Sequence, residues 1–120
     1  MGVKEQELYW IYMLRLANGS YYTGYTNDLD RRFRAHRDGR GAKITRSFAP
    51  VAVAACWKVH CPKGMAMRIE AWIKSFTREA KQSLIDHPES LGELLRRRGW
   101  GEPIEAVVPP PTIPPPAVSS

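Results

Sequence analysis

The sequence is short of several residue types that would commit it to a common class of protein. Of its 120 residues only Cys56 and Cys61 are cysteine, and two thiols do not make a disulfide framework. Cys56 sits in an apolar run and reads as a small buried hydrophobe. A structural zinc site wants four ligands, usually in two short pairs. The neighbours His60 and Cys61 have only His36 and His87 to join them, at unrelated positions, so structural zinc is not expected. No apolar run approaches the roughly 20 residues needed to span a bilayer. The opening stretch, residues 1–7, is polar and carries no apolar signal core; it reads as a frayed start, and the expectation is a cytoplasmic protein without a membrane span. A chain of 120 residues fits one domain, with room for one core and one site.

Positive charge is what the chain has in excess, and its placement matters more than its sum. Residues 31–46 contain Arg31, Arg32, Arg34, Arg37, Arg40, Lys43 and Arg46 against Asp38 alone, which accounts for the whole formal charge of +6. Concentrated in one stretch, such a block attracts polyanions and points to a phosphate-binding face.

The pattern along the chain sets out the elements. Residues 8–16, rich in aromatic and branched side chains, read as a buried strand. Asn18-Gly19 is a turn signal, and residues 20–26 form the returning strand of a hairpin. Gly24 within that strand marks a bulge or a close backbone approach. Asn27 or Asp28 caps a helix starting near Leu29, with Leu29, Phe33 and His36 on one face and arginines on most of the rest. Gly39 and Gly41 end it. Residues 42–47 read as a short turn of helix or a loop, and 51–59 as a third strand. Met65, Ile69, Trp72, Ile73 and Phe76 make an apolar stripe for a long helix over 65–85. Such a stripe is a core face. Pro88 stops it, and Ser90 caps a last short helix over 91–97. The predicted fold is α+β: a small three-stranded, mainly antiparallel sheet flanked by helices, in the order strand, strand, helix, strand, long helix, short helix. The domain is expected over residues 8–99. Residues 100–120 are expected to be a proline-rich, disordered tail, since six of the ten prolines lie at 109–116 and favour extended polyproline II.

Within this frame the residues Trp10-Ile11-Tyr12, Tyr22-Thr23-Gly24, Arg31-Arg32, His36, Gly41-Ala42-Lys43 and Thr45-Arg46-Ser47 occur in order, followed by Glu70 on the next long helix. Arg32 stands ten residues beyond Tyr22, and His36 four beyond Arg32. This ordered set resembles the GIY-YIG nuclease superfamily, and most closely its small single-domain bacterial members, over about Leu8 to Leu95. Two positions depart from the family pattern: Trp10 stands where the family usually has Gly, and Thr23 where it usually has Ile or Val.

The chemistry follows in part from the residues themselves. Arg32 offers a planar fork of donors suited to a phosphate, and it lies one turn before His36 on the same helix face. Taken alone, Glu70 would read as an i,i+4 surface pair with Lys74, and the tyrosines as strand residues with one wet end. The resemblance implies more. It makes Glu70 a ligand for Mg²⁺ or Mn²⁺, and Mg²⁺ needs only one or two protein carboxylates. It makes Tyr12 the residue that orients or deprotonates the water, Tyr22 its hydrogen-bonding partner near the phosphate, and His36 an assistant to Tyr12 or a phosphate contact. Arg31, Arg34, Lys43, Thr45, Arg46 and Ser47 are assigned to the nucleic-acid backbone. Trp10, Tyr9 and Tyr25 are rings able to stack a base, with core packing the plainer role for Trp10. The implied activity is a metal-dependent DNA endonuclease acting on single-stranded or branched substrates, of use in repair or recombination. The alternative is a nucleic-acid-binding module of the same fold without strong activity.

Overall fold

The computed structural model describes residues 7–115. Residues 1–6, most of the expected frayed start, and the last five residues of the proline-rich tail lie outside the described residues.

The hairpin forms as its pattern requires. Strand β1 (Leu8–Leu16) and strand β2 (Tyr21–Thr26) pair antiparallel, with Tyr12 opposite Gly24 and Leu14 opposite Tyr22. Helix α1 (Leu29–Arg37) follows, its first turn capped by the Asp28 side chain, which accepts from the Arg31 amide. Helix α2 (Lys43–Ser47) is a single short turn. Strand β3 (Pro50–His60) then pairs antiparallel with the other edge of β1.

The expectations need correcting in two places, the helices and the sheet. The long helix expected over 65–85 is two helices, α3 (Lys63–Lys74) and α4 (Arg78–Asp86). Thr77 breaks it: its hydroxyl accepts from the Ala80 amide and starts a new helix. The apolar period runs on through Phe76, Leu84 and Ile85, so the break leaves no gap in the hydrophobic pattern. Helix α5 (Ser90–Arg97) includes Ser90 rather than being capped by it.

The second correction concerns the sheet, which has four strands, not three. Strand β4 (Ile104–Ala106) pairs antiparallel with β3, giving the order β2-β1-β3-β4. It comes from the segment expected to be a loose tail. Beyond it the chain stays on the body of the protein. The Val107 amide donates to the Cys56 carbonyl, and Val107 and Ile113 pack against a buried cluster.

Strand alternation divides the core into two layers. Tyr9, Ile11 and Met13 of β1 face α3, α4 and α5 through Ile69, Ile73, Leu84, Leu91 and Leu95. Tyr12, Leu14 and Leu16 face the other way, onto Phe33 of α1, Val53 and Cys56. β1 is therefore covered on both faces, which is why it is almost wholly apolar. Trp57 is fully buried, and its indole N–H donates to the Pro88 carbonyl at 2.7 Å.

Thr23, the departure in β2, is buried, and its hydroxyl has no hydrogen-bond partner. An unmet hydroxyl in an apolar layer costs about 1–3 kcal/mol. Thr23→Val keeps the shape and removes that hydroxyl. It is expected to stabilise the protein by about 1 kcal/mol, read as a higher urea midpoint at unchanged slope.

Candidate active site

The sheet ends on one side at β2, and that open edge is where helices from both faces meet. α1 approaches from one face and brings Arg32; α3 approaches from the other and brings Glu70. Between them lies a cleft of about 340 Å³ whose walls include Tyr22, Tyr25, Asn27, Arg32, Lys63 and Glu70. The topology thus brings three of the expected residues, Tyr22, Arg32 and Glu70, to one cavity from three elements. Glu70 is paired with Lys74 at 3.5 Å, one helical turn away. The Lys74 ammonium also lies 5.4 Å from the Tyr22 ring centre. A part-exposed pair of this kind contributes only about 0.3–0.5 kcal/mol, so it does not lock the carboxylate.

Tyr12 and His36 stand behind this cleft. Tyr12 is fully buried, with its ring edge-on to Phe33 at 5.2 Å. Its hydroxyl lies 2.9 Å from His36 Nε2, and Arg32 Nε donates to it at 3.4 Å. His36 Nδ1 lies 2.9 Å from Thr45 Oγ1, and that hydroxyl donates its proton to the Ala42 carbonyl at 2.8 Å. A hydroxyl has one proton, so Thr45 accepts from His36 Nδ1–H. Nε2 is then bare and accepts from Tyr12. The chain of donors therefore runs from Arg32 through Tyr12, His36 and Thr45 to the Ala42 backbone.

Two glycines make room for it. Gly24 lies under the Tyr12 ring, where a Cβ would fall 2.5 Å from the phenolic oxygen. A Cβ on Gly41 would collide with His36 Nδ1 and Thr45 Oγ1. These contacts are the physical reason for glycine in both segments.

Charge states agree with the bond directions. Burial pushes the Tyr12 phenol well above its usual value, against the opposing pull of Arg32. Burial, reinforced by the Arg32 charge, brings His36 down to about 4. At neutral pH both groups are uncharged, one a donor and the other an acceptor. An unfolded imidazole titrates near 6.5. Between the two values the unfolded chain binds a proton that the native chain does not, so stability rises with pH. This contribution is full above about pH 6.5 and is lost as pH falls towards 4, about 3 kcal/mol in all. Urea unfolding at pH 7 and pH 4.5 should show wild type losing about 2–3 kcal/mol relative to His36→Gln. Parallel losses in the two proteins would contradict the assignment.

Two expected positions change meaning. Tyr12 is walled off from solvent, so of the two tyrosines expected in the chemistry only Tyr22 reaches the cleft; Tyr12 touches Arg32 and His36 behind it. Thr45, expected on the nucleic-acid backbone, is buried and holds His36 instead. Its neighbours Lys43, Arg46 and Ser47 are exposed on α2 and line neither the cleft nor the groove beside it. That groove, of about 730 Å³, runs along α1 with Arg31, Arg34 and Arg40 in its walls and shares Thr26, Asn27 and Arg32 with the cleft. Asn27, Lys63 and Arg40 were not singled out from the sequence as site residues. Asn27 did carry a signal, since it lies where β2 gives way to the cap of α1.

Glu70 is the lone acidic residue in the cleft, and among the described residues no group of three or more His, Cys, Asp or Glu side chains is placed to hold a metal. This fits Mg²⁺, which keeps most of its water and takes one or two carboxylates. It does not suit a metal that wants an all-protein cage.

A hairpin, an arginine helix and a glutamate-bearing helix converging on one cleft define a class of protein. A family model described as the GIY-YIG catalytic domain matches residues 8–83. The chain belongs to the GIY-YIG nuclease superfamily. Its particular relatives include the UPF0213 protein BH0048 of Halalkalibacterium halodurans, 42% identical over 77 residues that span 64% of this chain and 81% of that protein. A UPF0213 protein of Serratia liquefaciens is 40% identical, over 65% of this chain and 76% of its own length. The UPF0213 protein YhbQ of Salmonella arizonae is 36% identical, over 72% and 86% respectively. A solution NMR structure of the UPF0213 protein BH0048 from Bacillus halodurans is 40% identical and covers 66% of this chain and 83% of that one, with a TM-score of 0.43. No helix among the described residues is long and apolar enough to cross a membrane.

Proposed function

We propose that this protein is a divalent-metal-dependent endonuclease that hydrolyses phosphodiester bonds in DNA. The observation that carries the reading is the convergence of Arg32, Tyr22 and Glu70 on one cleft that shares Thr26, Asn27 and Arg32 with an arginine-lined groove. Arg32 grips the phosphate at the cleaved bond and meets the charge that builds on its oxygens. Tyr12 accepts from Arg32 Nε and so aims the guanidinium, while His36 and Thr45 fix Tyr12. Tyr22 presents its hydroxyl to the water or the phosphate. Glu70 would hold Mg²⁺ or Mn²⁺, which supplies positive charge and an activated water when bound. Arg31 and Arg34 take flanking phosphates. Two free, buried thiols suit the reducing cytoplasm. There a small nuclease without a long recognition surface would act on DNA by its structure, as repair and recombination require.

The test is cleavage of end-labelled single-stranded, duplex and branched DNA in Mg²⁺, in Mn²⁺ and in EDTA. Metal-dependent products from at least one substrate support the reading. Binding without cleavage under every condition would replace it with a binding module of the same fold.

A further inference from the structure

Two features stand outside the family pattern: Trp10, and the proline segment beyond the end of the family match at residue 83. The fold brings them face to face. Trp10, Leu29, Phe33, Pro111 and Pro114 wall a hollow of about 420 Å³ beside α1, within the range of pockets that hold small molecules. The proline segment is hydrogen-bonded to the body of the protein on both sides of the wall. The Val107 amide donates to Cys56, and Arg37 Nη1 donates to the Pro115 carbonyl at 2.6 Å. A wall already in place costs a ligand little ordering free energy.

Charge says what the hollow admits. No Arg or Lys lines it, although the two neighbouring cavities hold Arg31, Arg32, Arg34, Arg40 and Lys63 between them. Its two carboxylates are already engaged: Asp28 accepts from the Arg31 amide at 3.1 Å, and Asp30 pairs with Arg34 at 3.1 Å. The Lys58 ammonium lies 5.3 Å from the Trp10 ring centre but is not among the walls, so a phosphate inside meets no lining cation, whereas a flat uncharged group meets an indole, a phenyl ring and proline faces. The hollow also adjoins the rest of the site through shared walls. Asn27 lines all three cavities and is exposed, and its carboxamide can both donate and accept.

We propose that this hollow receives one unpaired nucleobase of the strand whose phosphates lie on Arg31, Arg32 and Arg34. Trp10 and the proline segment sandwich it, and Asn27 reads its edge. This rests on the nucleic-acid reading of the cleft and adds to it a nucleotide preference at one position near the cleaved bond.

The test is a binding scan in EDTA, using the full chain and fluorescent single-stranded oligodeoxynucleotides that each carry one abasic site at a successive position. Wild type should bind about tenfold more weakly when one particular position is abasic, the usual size of a stacking contribution. Trp10→Ala should remove that position dependence, and Trp10→Phe should restore it. Asn27→Ala changes an exposed side chain and leaves the packing alone. It should keep the abasic effect but flatten the preference among the four bases there. Equal affinity for every abasic oligonucleotide would overturn the hollow while leaving the nuclease reading intact. A position effect without cleavage in any metal would sink the nuclease reading and keep the hollow. Failure to bind any oligonucleotide would overturn both.

Discussion

Arg32→Ala is expected to cut the cleavage rate by about 10²–10³, the usual cost of removing one donor that meets transition-state charge. The loss should fall on the rate at saturating DNA more than on affinity, because Arg31 and Arg34 remain to hold flanking phosphates. Folding should survive. Arg32 is half-buried, and its contact to Tyr12 is a long one at 3.4 Å; the Tyr12 hydroxyl keeps its shorter bond to His36 at 2.9 Å. The stability change should therefore stay within about 1 kcal/mol. Arg32→Lys should recover only part of the rate, since an ammonium lacks the flat fork that meets two phosphate oxygens. Single-turnover cleavage beside thermal melting separates these outcomes. A near-normal rate in Arg32→Ala would remove Arg32 from the chemistry.

Gly24→Ala should be among the most damaging single changes to the fold, about 3 kcal/mol. The new Cβ would fall 2.5 Å from the Tyr12 oxygen and 2.6 Å from the adjacent ring carbon. The ring cannot swing away. It is fully buried, packed on Phe33 and tied to His36. Either the strand pair opens or the Tyr12–His36 bond breaks, and both outcomes disturb the group that aims Arg32. Gly64→Ala is the control, because a Cβ there meets nothing within 4 Å. It should be neutral or slightly stabilising. Urea unfolding of the pair checks the contrast, and an unchanged midpoint in Gly24→Ala would show that the sheet accommodates the clash.

How far the sequence revealed this architecture depends on where each signal lies. Strand β1 and helix α1 were legible to the residue at their starts. β1 is apolar because both its faces are covered, and Asp28 is an efficient cap. The one-turn spacing of Arg32 and His36 by itself puts them on one helix face. The break at Thr77 was hidden because the apolar period continues across it. Strand β4 was hidden because three residues between Pro103 and the proline run carry no period at all; they become a strand only because β3 offers an unpaired edge. The donor chain was also out of reach. Thr45 looked like one more polar residue in a basic stretch, and nothing local shows that α2 folds back to place its hydroxyl on His36. Burial of Tyr12 is likewise a property of packing. Glu70 shows the limit most plainly: its local pattern is an ordinary ion pair with Lys74, which the structure contains, and only the open edge of β2 lets it share a cleft with Arg32.

The central claim, that this cleft hydrolyses phosphodiester bonds with a divalent metal, rests on Glu70. The direct test is the single-turnover rate of wild type and Glu70→Ala on the same labelled DNA at saturating Mg²⁺, with EDTA as the blank. Glu70 is half-buried and its pair with Lys74 is weak, so the variant should melt with wild type. Its cleavage should fall at least about 10²-fold, to the level seen in EDTA, while DNA binding is retained. Equal Mg²⁺-dependent cleavage by the two proteins would place the metal, and the chemistry, somewhere other than this cleft.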